Sequence, residues 1–203
     1  MNFLYTLRIL GILLMFFSTA QLFPASVAYY FQEYALIKVF FNTLLATFLC
    51  GFLLYILSAT RKEDLRTKDG FIITVLFWTV LSIFGSFPLI FAEEIDISYI
   101  DALFESISGL TTTGATVLTG LDDLPRSILF YRQLLQWLGG MGIIVLAVAV
   151  LPLLGIGGMQ LYKAETPGPL KDSKLTPRIT ETAKALWYVY LTMTILCASA
   201  YKF

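Results

Sequence analysis

With 203 residues, 58% of them hydrophobic and only 14% charged, the chain has far less charge than a soluble domain, where about a quarter of residues ionise. Its formal net charge is zero with no concentrated basic field, which argues against nucleic acid as a partner. It has no histidine, and its two cysteines, Cys50 and Cys197, lie in apolar stretches, so imidazole acid–base chemistry, the usual zinc ligand sets and a disulfide framework are excluded.

A mean hydropathy of +0.78 directs the reading to membrane spans, each needing about 20 mostly apolar residues. The first candidate is Phe3–Phe23, in which Ile9–Phe23 is free of charge and Arg8 can snorkel toward the head groups. A signal peptide is the rival reading, with Arg8 as its positive end and Ile9–Phe17 as its apolar run, although Ser18-Thr19-Ala20 is a poor cleavage site. After Pro24–Glu33 comes a second charge-free stretch, Val39–Thr60, so that residues 1–60 hold two helices. Residues 61–69 form a basic loop with Arg61, Lys62, Arg66 and Lys68, and Gly70–Ala92 is the third span. Gln133–Tyr162 carries no charge and holds the fourth, closed by Gly155, Gly157 and Gly158 after Pro152. Residues 156–184 form a second basic loop, with Lys163, Lys171, Lys174, Arg178 and Lys184, broken by Pro167, Pro169 and Pro177. A fifth span begins near Ala185 and occupies residues 185–203. Between the third and fourth spans stand Glu93, Glu94, Asp96 and Asp101 with no basic residue among them. The positive-inside rule therefore puts the N-terminus and both basic loops in the cytoplasm and residues 93–132 outside.

The stretch between Asp96 and Gln133 does not read as a crossing. Ser98-Tyr99-Ile100-Asp101 has the form of a capping box, with Ser98 as N-cap, and the acid suits the positive end of the helix dipole. Ala102, Leu103, Phe104, Ile107 and Leu110 give an apolar stripe at helical spacing. About a dozen residues rise only about 18 Å, so the segment 98–116 is expected to be re-entrant. Thr111-Thr112-Thr113-Gly114-Ala115-Thr116-Val117 follows, and β-branched residues with glycine are poor helix material. Irregular backbone at membrane depth is tolerated where protein or a water-filled cavity receives its polar groups. Here it would present a row of carbonyl oxygens, with threonine hydroxyls beside them, of the kind that replaces the hydration shell of potassium. Gly114 can adopt the dihedrals that turn successive carbonyls to one side. The competing reading is a Thr/Gly-rich external loop after an interfacial helix.

Three blocks carry a resemblance. They are Asp101-Ala102-Leu103-Phe104-Glu105-Ser106-Ile107-Ser108-Gly109-Leu110 running into Thr111–Thr116, Arg132–Gly142 (RQLLQWLGGMG), and Gly158–Pro169 (GMQLYKAETPGP) continued by Lys174–Ile179. Together they resemble the TrkH/TrkG-type membrane subunits of the bacterial Trk/Ktr potassium-uptake family, over essentially the whole chain. The resemblance implies an all-α membrane protein of the bacterial inner membrane, with two extra transmembrane helices before a helix–pore loop–helix repeat. That first repeat would occupy residues 70–155, and residues 185–203 would begin a second, truncated here; since such proteins close one ion path with four pore loops, closure would need either a longer parent protein or four copies of this chain. It implies potassium as the transported ion, held in the filter at Thr112, Thr113, Gly114 and Ala115 with Thr116 beside them, and no cofactor. It also implies the lipid bilayer as surroundings, a homodimer, and a cytoplasmic nucleotide-binding regulatory subunit of the TrkA type, for which residues 163–184 offer a docking surface. Thr113 and Ala115 stand where strongly selective potassium channels have valine and tyrosine, so the aromatic cuff of such filters is missing.

Arg132 is open to two readings, a salt bridge to a pore-helix acid such as Glu105 or an anchor at the head groups. Gly139-Gly140-Met141-Gly142 suits close packing, or a gating hinge. No nucleophile–base pair or phosphate-cradling loop stands in the sequence, which reads as non-enzymatic. Two functional alternatives accompany the uptake reading, a non-conducting assembly subunit and a sodium-coupled symporter.

Overall fold

The structure, a computed structural model, describes residues 3–58, 67–142 and 175–202. Among them every regular element is helical: α1 Phe3–Ala20, α2 Leu22–Tyr30, α3 Tyr34–Leu57, α4 Thr67–Ile90, α5 Tyr99–Leu110, a 3-10 turn at Leu121–Asp123, α6 Arg126–Gly140 and α7 Leu175–Lys202. The expected all-α membrane architecture is therefore present, with three stretches long and apolar enough to cross a bilayer, Thr6–Tyr30, Tyr34–Leu57 and Ile72–Ile90. Most of the 61–69 loop, the distal part of the fourth span and the third sequence block up to Lys174 lie outside the described residues.

The chain forms two compact units, one of Met1–Glu63 with Val75–Gly140, the other of Asp64–Thr74 with Met141–Phe203. In the first unit, α1 packs along α3 over a stripe that inverts the pattern of a soluble helix. Leu36, Phe40, Thr43, Thr47 and Gly51 are buried at intervals of three and four residues, while Phe41, Leu45, Phe48, Leu49, Phe52 and Ile56 are exposed. From Thr43 to Gly51 small and polar residues lie inside with large apolar ones outside, the arrangement of a helix facing lipid. The two backbones nearly touch at the crossing. A Cβ on Gly11 would lie 2.5 Å from the Gly51 carbonyl oxygen, and one on Gly51 would lie 2.7 Å from that of Gly11. Arg8 does more than reach for head groups: its Nη2 donates to the Tyr55 hydroxyl at 3.0 Å, and its guanidinium stands 4.7 Å from the centre of that ring.

Several boundaries differ from the sequence expectation. The stretch Pro24–Glu33, read as the connection between two spans, is helical as far as Tyr30. Pro24 lies in the first turn of α2, where a missing N–H costs no helix bond. The break falls at Gln21, whose side-chain oxygen accepts from the Thr43 hydroxyl at 2.6 Å. The real connection is the turn at Phe31–Glu33. Its amides form a Schellman closure, Gln32 N–H to Tyr29 O at 3.2 Å and Glu33 N–H to Ala28 O at 2.8 Å, with Gln32 at φ 61. In the second unit, α7 begins at Leu175 rather than near Ala185, so Pro177 stands inside the helix. It too occupies a first turn. From Lys184 onward the α7 side chains are mostly exposed, among them Leu186, Tyr188, Val189, Met193, Ile195 and Leu196.

Candidate functional site

The site is built on α5, which with 12 residues rises about 18 Å, too short to cross. Its start is local chemistry. The Ser98 hydroxyl oxygen accepts the Asp101 N–H at 3.2 Å and donates to the Asp101 carboxylate at 2.7 Å, closing the N-terminal half of the expected capping box. Its end is a second Schellman closure. Thr112 N–H donates to Gly109 O at 2.9 Å and Thr113 N–H to Ser108 O at 3.0 Å. The left-handed position that this motif requires is filled by Thr112 at φ 57, where glycine is the usual occupant. A β-branched residue there is strained.

Beyond Thr112 the chain is non-helical, and Gly114 again has positive φ, at 73. Residues Thr111–Val117 are exposed along the loop, while one face of α5 ties the loop down. The Ser108 hydroxyl donates to the Ala115 carbonyl at 2.6 Å. One carboxylate oxygen of Glu105 accepts both the Thr116 hydroxyl, at 2.5 Å, and the Val117 N–H, at 2.7 Å. The other accepts from Arg132 Nε at 2.9 Å. The Glu105 side chain is 2% exposed and that of Arg132 10%, so this is a buried pair, and the structure decides for the salt bridge to Glu105 over the head-group anchor. Glu105 and Ser108, three residues apart on one helix face, grip the returning loop.

The five residues singled out in the sequence thus lie in one continuous loop with distinct environments. The Thr113 hydroxyl pairs with that of Thr111 at 2.8 Å. The Thr116 hydroxyl faces Glu105. Ala115 has one carbonyl lone pair engaged by Ser108 and a second left over. Gly114 has room, since a Cβ there would meet nothing nearer than Gln136 Nε2 at 4.0 Å. The oxygens that the loop offers a cation are backbone carbonyls and threonine hydroxyls. Among the described residues no group of three or more His, Cys, Asp and Glu gathers as a metal site.

Neighbouring helices seat α5 by close contacts at glycines. A Cβ on Gly139 of α6 would stand 2.1 Å from the Leu110 carbonyl oxygen, one on Gly109 of α5 3.0 Å from Leu135 Cβ, and one on Gly85 of α4 2.5 Å from Ser106 Oγ. The glycines after Trp137 therefore include a close-packing contact. Tyr131, fully buried, donates its hydroxyl to the Gly85 carbonyl at 2.7 Å and packs on Phe40 with ring centres 5.6 Å apart. Sequence reasoning passed over Ser108, Gln136 and Tyr131. Of these only Ser108 carries a local signal, its three-residue spacing from Glu105.

The model of the TrkH family, cation transport proteins, matches residues 36–203. Among similar proteins, the Trk system potassium uptake protein TrkH of Vibrio parahaemolyticus is 57% identical over 201 residues, which is 99% of this chain and 41% of that protein. The TrkH of Halomonas elongata is 58% identical over 195 residues, 96% of this chain and 40% of its own length. The TrkG of Escherichia coli is 47% identical over 192 residues, 95% of this chain and 39% of its own length. The crystal structure of the potassium transporter TrkH from Vibrio parahaemolyticus superposes with a TM-score of 0.79 at 52% identity, covering 99% of this chain and 39% of that one. The chain spans about two fifths of the length of these relatives. With the family model matched over most of its residues and the helix–loop–helix geometry described above, the chain belongs to the TrkH family of cation transport proteins.

Proposed function

We propose that this chain supplies the first pore loop of a potassium-uptake path in the bacterial inner membrane, with Thr112, Thr113, Gly114, Ala115 and Thr116 as its share of the filter. The observation that carries the reading is the half-span helix α5 ending in a Thr/Gly loop with positive φ at both Thr112 and Gly114. In a regular strand successive carbonyls point to opposite edges. Residues of alternating handedness break that alternation and let neighbouring oxygens face one side. A cation leaving water needs such a row to replace its hydration shell, and the negative C-terminal end of α5 adds to the attraction. The hydrogen bonds from Ser108 and to Glu105 hold the oxygens from behind, so that they need not collapse onto a smaller ion. The names of the relatives, potassium uptake protein and potassium transporter, support potassium as the ion.

Closure around one path needs further pore loops, which a longer parent protein would contribute. Arg61, Lys62, Arg66 and Lys68 on one side and Glu93, Glu94 and Asp96 on the other support a cytoplasmic N-terminus. The basic stretch from Lys163 to Lys184 is the surface on which a TrkA-type regulatory subunit would dock, and the working assembly is a homodimer.

The test is Gly114→Ser in the intact transporter. The nearest atom to a new Cβ is 4.0 Å away, so the side chain fits and membrane insertion should be retained. The positive φ is strained for serine, so the loop should relax and potassium-over-sodium preference should fall by about tenfold, equivalent to 1.4 kcal/mol. Wild-type preference in a normally inserted Gly114→Ser protein would remove the filter reading and favour an assembly subunit.

A further inference from the structure

The first turn of α6 has no cap of its own. The residue before it is Pro125, whose carbonyl accepts from Ile128 and Leu129 at 3.1 Å each, and a proline side chain has no oxygen to offer the free amides of the next turn. The acceptor comes from a residue more than ninety positions earlier in the chain. Glu33, in the Schellman turn between α2 and α3, accepts the Arg126 N–H at 2.8 Å on one carboxylate oxygen. Its other oxygen accepts the Ser127 N–H at 3.1 Å and the Ser127 hydroxyl. The strained Gln32, at φ 61, sets the turn from which this side chain departs. Ser127 and Ile128 are fully buried, so the contact is enclosed on the α6 side.

Below this anchor, one face of α6 meets the pore loop and its helix. Tyr131 joins Phe40 of α3, Arg132 reaches Glu105, Gln136 lies beside Gly114 and Gly139 abuts Leu110. Ser127 and Arg132 are separated by only about 7.5 Å of rise, so a shift of the first turn is passed to the Arg132–Glu105–Thr116 chain with little attenuation. We infer that Glu33 is a positioning residue for the pore loop, by which the N-terminal helix pair sets the axial and rotational register of α6 and hence of the filter strand. It touches no ion. The inference rests on the filter reading proposed above.

The test separates tethering from simple capping. Glu33→Ala removes both, whereas Glu33→Ala combined with Pro125→Asp restores a local cap and leaves the tether to α2 and α3 absent. Both are made in the intact transporter, along with Gly114→Ser. Potassium-over-sodium uptake is measured per inserted molecule. The loop's position is read independently as the rate at which a water-soluble thiol reagent modifies Thr113→Cys, with Cys50 and Cys197 replaced by alanine. Glu33→Ala is expected to lower ion preference by about tenfold, or 1.4 kcal/mol, and to change the Thr113→Cys rate severalfold. The Pro125→Asp combination should recover thermal stability but neither of those readouts. Recovery of all three would reduce Glu33 to a cap and overturn the proposal, as would an unchanged modification rate in Glu33→Ala. If Gly114→Ser leaves ion preference intact, the filter reading fails by itself, and the modification rates still decide whether Glu33 positions the loop.

Discussion

Replacing Glu105 with Gln alters one atom and disturbs three bonds. The carboxylate receives donors on both sides, Thr116 Oγ1 and Val117 N on one oxygen and Arg132 Nε on the other. Glutamine must turn its NH₂ toward one of these sides. Turned to Arg132, it sets N–H against N–H and leaves a guanidinium buried without a counter-charge. Turned to the loop, it can keep the Thr116 hydroxyl, which rotates to accept, but orphans the Val117 amide. Breaking a buried pair by removing one partner costs about 3–5 kcal/mol, and the 2% and 10% exposure of the two side chains puts this pair in that class. Glu105→Gln is therefore expected to lower the thermal midpoint of the detergent-solubilised transporter and the yield of inserted protein, and Arg132→Gln should do the same. The double variant removes both charges and lets two amides bond each other, so its loss should be smaller than the sum of the singles by about 1–3 kcal/mol. Additive losses, or a Glu105→Gln protein as stable as the parent, would mean that the pair does not hold the returning strand.

Two further outcomes follow from backbone geometry. Thr112 is β-branched at φ 57, which costs about 1–3 kcal/mol, so Thr112→Gly should raise the thermal midpoint slightly or leave it unchanged, whereas Thr113→Gly, with no such strain to relieve, should lower it. A Cβ on Gly139 would stand 2.1 Å from the Leu110 carbonyl oxygen, so Gly139→Ala should force α6 from α5 and destabilise by about 1–3 kcal/mol, read as lost monodispersity in size-exclusion chromatography. A fully monodisperse Gly139→Ala protein would contradict the contact.

The short helix α5 was legible because its signals are local. Ser98 and Asp101 stand three residues apart and do cap each other, and the Thr/Gly run that follows has no helical alternative. The start of α6 was not legible for a physical reason. Counting charge-free residues begins the span at Gln133, but Arg126 and Arg132 both lie within the helix, and Arg132 is admitted because Glu105 neutralises it inside the protein. Pro24 was read as the start of a connection and Pro177 as a break in a loop, yet each falls in a first turn where no intrahelical donor is needed. Glu33 was invisible for a different reason. Its partners are 93 and 94 residues away, and nothing in a turn that reads Phe-Gln-Glu announces a distant helix end.

These contacts divide into two kinds with different consequences. The helix α5 is seated by contacts that leave no slack, Gly139 on the Leu110 carbonyl, Gly109 on Leu135 and Gly85 on Ser106. Dispersion and steric fit are steep functions of distance, so changes at these positions register as misfolding before they register as altered transport. The loop is held by a few directional bonds to Ser108 and Glu105, and through Arg132 by α6. A bond of that kind can be weakened while the helix beneath it stays in place. On the filter reading proposed above, carbonyl oxygens that replace a cation's hydration shell need fine adjustment, which packing alone does not offer. Side-chain hydrogen bonds from a rigid helix do offer it, and here they connect the Thr113–Val117 loop to α6, whose first turn is held by Glu33.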